Sequence, residues 1–280
     1  MKIIGIIGLG LIGGSIGLIL RKLNFKVVGT DSNHNNSLEA LQLGIVDEII
    51  TFQDLIKKSS VIILSIPVNN IIKILPIILN NINKNQVLID TGSTKYDICN
   101  SVYSHPNRSR FVATHPIAGI ENSGPTSAKE ELFYHKNCII CDYQLSDSDA
   151  LFITKKIFSI IMKMNISYIN AEDHDMYISY ISHLPHVISF CLAKTILENF
   201  FSKEKILKKM IGSSFYSIVR LAKSNPETWI SIFSSNRINL INTIDLYMKQ
   251  LKFLKKSLNK NDILSIKKLL KESNKIKNLL

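Results

Sequence analysis

An apolar, uncharged run at residues 3–7 leads directly into Gly8-Leu9-Gly10-Leu11-Ile12-Gly13, and apolar residues then recur at Ile12, Ile16, Ile19 and Leu23. Few folds accept that order. A short apolar run bounded by glycine reads as a buried strand, and the three- and four-residue spacing after it reads as one face of a helix. The first glycine serves a tight turn, the second lets backbone approach a pyrophosphate, and the third lets helix pack on strand. Unpaired N–H groups and the positive end of the dipole at the helix start favour an anion. Gly8, Gly10, Leu11, Ile12 and Gly13 are therefore the expected phosphate cradle.

A second strand at residues 26–30 ends at Asp31, 18 residues past Gly13. A carboxylate there accepts hydrogen bonds from both ribose hydroxyls and repels a 2′-phosphate, and Ser32-Asn33 supplies no arginine to receive one. The cofactor expected is NAD rather than NADP. Ser65-Ile66-Pro67, at the end of a strand at 61–66, is expected to line the same site.

Strand-like runs at 86–90, 111–114 and 137–141 continue the pattern, with segments of helical length between most of them. That alternation argues a parallel sheet built from βαβ units. A helix near 146–164 and a strand at 166–169 complete this domain. After about residue 171 strand signals stop and apolar residues recur at helical spacing, as at Leu240, Ile244, Leu251 and Leu254. The expected architecture is α/β: a Rossmann-type dinucleotide-binding domain over 1–170, then an all-α domain over 171–280 for substrate binding and dimerisation. Pro185 and Pro226 are read as helix starts.

Charge and cysteine usage exclude several function classes. Residues 201–280 hold 17 Lys and Arg against 5 Asp and Glu, so the whole net charge of +12 lies there. Lys252, Lys255, Lys256 and Lys260 lie at helical spacing with few aromatics between them, which reads as a solvated helix face and not as a nucleic-acid surface. Cys99, Cys138, Cys141 and Cys191 are too few and scattered for a disulfide framework, so a reducing cytoplasm fits. Cys138 and Cys141 sit in an apolar strand-like run and read as core. Residues 3–20 carry no charge but contain six glycines in dinucleotide-binding spacing, which speaks against a membrane anchor.

The catalytic candidates lie where strands end, since ligands of open α/β sheets bind at the carboxyl edge. They are Gly92-Ser93-Thr94-Lys95 and His115-Pro116-Ile117-Ala118-Gly119; in the helical half, Ser182-His183-Leu184-Pro185-His186 and Arg220 interrupt apolar surroundings. These stretches, with Arg220-Leu221-Ala222-Lys223-Ser224-Asn225-Pro226-x-x-Trp229 and Glu121-Asn122-Ser123-Gly124-Pro125, resemble the prephenate/arogenate (cyclohexadienyl) dehydrogenases of tyrosine biosynthesis over essentially the whole chain.

The resemblance implies that NAD takes a hydride from the ring carbon bearing the hydroxyl while the ring carboxylate leaves as CO2. It implies His115 as the group that polarises the hydroxyl and accepts its proton, with Ser93 holding imidazole or hydroxyl in register. Arg220 would clamp a substrate carboxylate, His186 would lie near substrate, and His183 ranks next; His186 points to prephenate, although these residues do not fix the keto or amino side chain. It also implies a homodimer formed by the helical half. Each candidate has a plainer alternative: a strand-end histidine at 115, a helix N-cap at Ser93 for a segment starting at Thr94, and capping or core histidines at 183 and 186. Trp229 reads as helix packing, and no metal is expected from Asp173, His174 and Asp175. Related chains tend to carry an acid three residues before the arginine, where this one has Ser217. No chorismate mutase segment or regulatory domain is recognisable, so control by a separate domain is not expected. The rivals left open are a β-hydroxyacid or imine reductase, which needs a catalytic lysine in its helical domain, and a non-catalytic NAD-sensing module.

Overall fold

The structure, a computed structural model, describes residues 3–200 and 204–279. One sheet runs β3-β2-β1-β4-β5-β6-β7-β8. Its strands are β1 (Ile3–Ile7), β2 (Lys26–Thr30), β3 (Glu48–Ile49), β4 (Val61–Leu64), β5 (Val87–Asp90), β6 (Phe111–Pro116), β7 (Asn137–Cys141) and β8 (Asn165–Ile169). Period-two alternation sends Ile4, Ile6, Val27, Ile63, Ile89 and Val112 to one face, and Ile7, Val28, Ile62, Leu64, Leu88 and Phe111 to the other. Both faces are covered, as parallel sheets require. Helices α1 (Leu11–Lys22) and α6 (Ser148–Lys155) pack on the first. Helices α3 (Phe52–Lys58), α4 (Val68–Asn81) and α5 (Tyr96–Asn100) pack on the second, while α2 (His34–Gln42) follows β2.

β1, β2, β4, β5 and β6 pair in parallel, but β7 runs antiparallel to β6, with His115 opposite Ile139. The all-parallel expectation is corrected here. A parallel neighbour needs a crossover, and between β6 and β7 the chain makes only short 3-10 turns. β8 returns parallel to β7, because α6 and the π-helical turns at Lys156–Ile161 supply the crossover. The two-residue β3 at the sheet edge has too little apolar sequence to announce itself.

Beyond β8 the described chain is helical: α7 (Ala171–Ile178), α8 (Leu184–Phe200), α9 (Glu204–Met210), α10 (Ser213–Val219), α11 (Pro226–Ser235), α12 (Arg237–Asn259) and α13 (Ile263–Ser273). Pro226 opens α11 as expected, with Asn225 Oδ1 capping the Glu227 N–H at 2.9 Å. Pro185 does not open a helix. It sits inside a run that continues from α7 through a π-helical turn at Ser179–His183 into α8. Proline lacks an N–H and crowds the carbonyl four residues earlier, and the widened turn absorbs both effects. Residues 1–236 form one compact unit and 237–280 another. In the second, Lys252, Lys255, Lys256 and Lys260 stand exposed. No described helix is long and apolar enough to cross a membrane.

Candidate active site

The glycine turn follows β1 at the point where strand order reverses between β1 and β4, the crevice position of doubly wound sheets. Gly8 takes φ +91°, a conformation that L side chains rarely adopt, and a Cβ on Gly13 would lie 2.0 Å from the Gly8 carbonyl oxygen. A Cβ on Gly10 would meet nothing within 4 Å, so open space lies above that backbone. α1 starts at Leu11 with no side-chain cap, leaving the first-turn amides of Leu11, Ile12 and Gly13 free for an anion. The side chains of Leu11 and Ile12 pack on the core, so only their backbone is offered.

Asp31 Oδ2 accepts the Leu9 N–H at 2.8 Å and Oδ1 accepts the Asn33 N–H at 2.8 Å, which aims the carboxylate from the end of β2 across the turn. A cleft of about 690 Å³ is lined by Gly8, Gly10, Asp31, Ser65, Ile66 and Pro67, and on its far side by Ser123, Gly124, Asn225 and Thr228. Its glycine floor and acidic end fit a dinucleotide.

The ends of β5 and β6 are locked together by a buried ion pair. Lys95 and Asp90 side chains are both fully buried and bonded to one another, and Lys95 Nζ also donates to the Thr114 carbonyl at 2.7 Å. Asp90 accepts from Gly92 N at 2.8 Å and from Thr114 N at 3.1 Å. Burial pushes the Asp90 carboxyl up, against the pull of Lys95. This clamp fixes the backbone immediately before His115.

His115 is buried, and its Nδ1 lies 2.9 Å from His174 Nε2. His174 Nδ1 lies 2.7 Å from Asp175 Oδ1. Asp175 also accepts the amides of Lys95 at 2.7 Å and Tyr96 at 2.9 Å, so α7 caps the start of α5. Burial first, then the neighbouring His174, Lys95 and His183, hold the His115 pKa well below its ordinary value.

His183 is buried and pushed down to about 4, chiefly by burial. Its Nδ1 faces Asn236 Nδ2 at 3.2 Å. His186 donates from Nδ1 to the Ser182 carbonyl at 2.9 Å and stacks on Trp229 with centroids 3.5 Å apart. Burial, reinforced by Arg220, lowers its pKa as well. Arg220 is paired with Glu121 at 3.2 Å and keeps 42% of its side chain exposed, so the guanidinium remains open to a ligand. α11, which carries Trp229, is seated by Ser231 Oγ accepting from Asn69 N at 3.3 Å and by a 2.9 Å bond between the Thr94 and Ser235 hydroxyls.

Ser93 is half-buried, and its hydroxyl has no protein hydrogen bond among the described residues. It caps no helix: α5 begins at Tyr96 and takes its cap from Asp175. Trp229, expected as packing, is half-buried against His186. Sequence reasoning passed over Lys95, His174 and Asp175 as working residues. The last two lie with Ala171 and Ile178 on the buried stripe of α7, a spacing visible in the sequence. Cys138 and Cys141 are buried in β7 as expected, and no described group of His, Cys, Asp or Glu is arranged to hold a metal.

Fold and cleft together define a Rossmann-class dinucleotide-binding protein with an imidazole cluster at the carboxyl edge of its sheet. Residues 16–164 match the nucleotide-binding domain of prephenate dehydrogenase and residues 170–272 match its dimerization domain. The chain belongs to the prephenate dehydrogenase family. It is 30% identical to the prephenate dehydrogenase of Bacillus subtilis over 255 residues, 87% of this chain and 67% of that one. It is 27% identical to the cyclohexadienyl dehydrogenase of Zymomonas mobilis, covering 93% and 90%. Prephenate dehydrogenase from Aquifex aeolicus, solved with hydroxyphenyl propionate and NAD+, superposes with a TM-score of 0.83 at 28% identity, covering 100% of this chain and 98% of that one.

Proposed function

We propose that this chain catalyses the NAD-dependent oxidative decarboxylation of prephenate, of arogenate, or of both, in tyrosine biosynthesis. The observation that carries the reading is a buried His115 at the end of β6, held by side-chain and backbone clamps, in a chain of this family. Gly8, Gly10, the amides of Leu11, Ile12 and Gly13, and Asp31 hold the dinucleotide, with Ser65, Ile66 and Pro67 along its edge. When bound, NAD supplies the acceptor for the hydride that leaves the hydroxyl-bearing ring carbon.

His115 takes the hydroxyl proton as the carbonyl forms, a task for a neutral imidazole. Breaking the bond to the ring carboxylate releases CO2, and its electron pair passes through the ring to the oxygen, which recovers a proton from His115. Aromatisation drives the step, and substrate plus NAD+ gives phenol product, CO2 and NADH with no net proton. Arg220 clamps a substrate carboxylate because a guanidinium stays charged and matches it in bidentate geometry. Ser93 donates its free hydroxyl to the reacting oxygen and so holds it in register with the imidazole. His186, with Trp229 beneath it, and His183 shape the substrate side.

The same reading divides the chain at 170/171 into a cofactor part and a substrate and dimer-forming part. The match of residues 170–272 to a dimerization domain, and the exposure of Ile238, Leu251 and Leu264 on α12 and α13, support a homodimer. Four free cysteines suit the reducing cytoplasm. Supplying NAD with prephenate or arogenate and following NADH and CO2 tests the assignment. Equimolar NADH and CO2 on at least one substrate is expected, and no turnover on either overturns it.

A further inference from the structure

His174 and Asp175 adjoin His115, and no step above uses them. Both are buried, at 4% and 1% exposure. Asp175 is committed as an acceptor: its two oxygens receive the Lys95 and Tyr96 amides and the ring of His174. A carboxylate that accepts three hydrogen bonds requires a proton on His174 Nδ1. With a single proton on the His174 ring, held at Nδ1, Nε2 carries the lone pair, and the 2.9 Å contact with His115 Nδ1 then forms with the proton on that nitrogen. His115 Nε2 is left as the lone-pair nitrogen.

We infer that His174 and Asp175 form a relay that fixes the tautomer of His115, presenting Nε2 as the base, and that His174 is a positioning residue for the reaction. The inference rests on His115 being the base. In the other tautomer Nε2 would carry a hydrogen and could not accept one. The relay also steadies the imidazolium that forms when the substrate proton arrives: positive charge on His115 strengthens the bond to His174, and the Asp175 carboxylate sits one ring behind it. The orienting carboxylate of hydrolase triads works by the same physics. The backbone holds the relay in place. Asp175 caps α5, its own carbonyl accepts Asn236 Nδ2 at 2.7 Å, and the edge-on ring packing of His115 and His174 at 5.1 Å sets the ring planes.

The test has two arms. Ring-¹⁵N spectra of the unmodified protein are expected to show His115 protonated at Nδ1 and bare at Nε2, with His174 protonated at Nδ1. Steady-state kinetics then compare His174→Phe with His174→Gln, whose amide oxygen restores an acceptor for Nδ1–H. The Phe variant is expected to lose about 10²-fold in kcat with both KM values within a few-fold, and the Gln variant to recover at least tenfold of that loss. A bare Nδ1 on His115 in the unmodified protein, or equal kcat for the two variants, overturns the relay. If His115→Asn leaves kcat intact while the spectra are as expected, the base assignment fails and the tautomer stands, so the two failures are distinguishable.

Discussion

Replacing Lys95 with Met removes one buried charge while nearly keeping side-chain volume, and isolates the clamp between β5 and β6. Lys95 and Asp90 are both at 0% side-chain exposure, so the remaining carboxylate has no water to turn to. Losing one partner of a buried pair costs about 3–5 kcal/mol, because the other charge stays desolvated. For a chain of this size, where each kcal/mol moves Tm by roughly 2 °C, Tm should fall by roughly 6–10 °C at neutral pH. The deficit has a signed pH dependence. Burial already raises the Asp90 pKa, and without Lys95 the rise is larger. A folded-state pKa above the unfolded one gives stability that is present at low pH and lost as pH rises through the folded value. The gap between Lys95→Met and the unmodified protein should therefore narrow on going from pH 7.5 to pH 5. Differential scanning calorimetry at both values measures it, and circular dichroism checks that the fold is kept. A Tm loss under about 2 °C, or a gap that widens at pH 5, would refute the reasoning. Since Lys95 Nζ also holds the Thr114 carbonyl beside His115, kcat should drop in the same variant.

Three further outcomes are expected. Asp31→Ser removes both the repulsion of a 2′-phosphate and the acceptor for Leu9 N; the ratio of kcat/KM for NAD over NADP should narrow by about tenfold or more, and an unchanged ratio would remove Asp31 from cofactor choice. Arg220→Ala should raise substrate KM by about 10–100-fold, the loss of charge-assisted hydrogen bonds worth about 1.5–3 kcal/mol. Its Tm should hardly move, because the pair with Glu121 is partly exposed. His183 is neutral in the folded protein down to about pH 4, against an ordinary value of 6.5. Between those values the unfolded chain binds the extra proton, so stability should fall by about 3 kcal/mol as pH drops from 6.5 to 4, and His183→Gln should flatten that part of the stability curve in urea titrations.

The cofactor end was legible because it is local. Strand, glycine turn, helix and the acidic end of the second strand follow one another within 31 residues, and each glycine answers to one backbone demand. The reversal of β7 was not, because strand direction depends on the path of the intervening segment and not on the strand's own apolar pattern. Pro185 misled for a related reason: its usual meaning as a helix start presumes an α-helical run, and the π turn before it lets the helix continue. His115, His183, His186 and Arg220 were visible as polar interruptions near strand and helix ends. Lys95, His174 and Asp175 were not, because their roles depend on contacts between residues up to 80 positions apart in the chain. Their burial pattern was readable; their partners were not.

The reaction proposed for this chain needs His115 as its base. The most direct measurement is kcat for His115→Asn at neutral pH, alongside the dissociation constant of the substrate from the NAD complex. A base that touches the reacting hydroxyl predicts a kcat loss of about 10²–10⁴-fold with binding little changed. An unaltered kcat with folded, substrate-binding protein would contradict it.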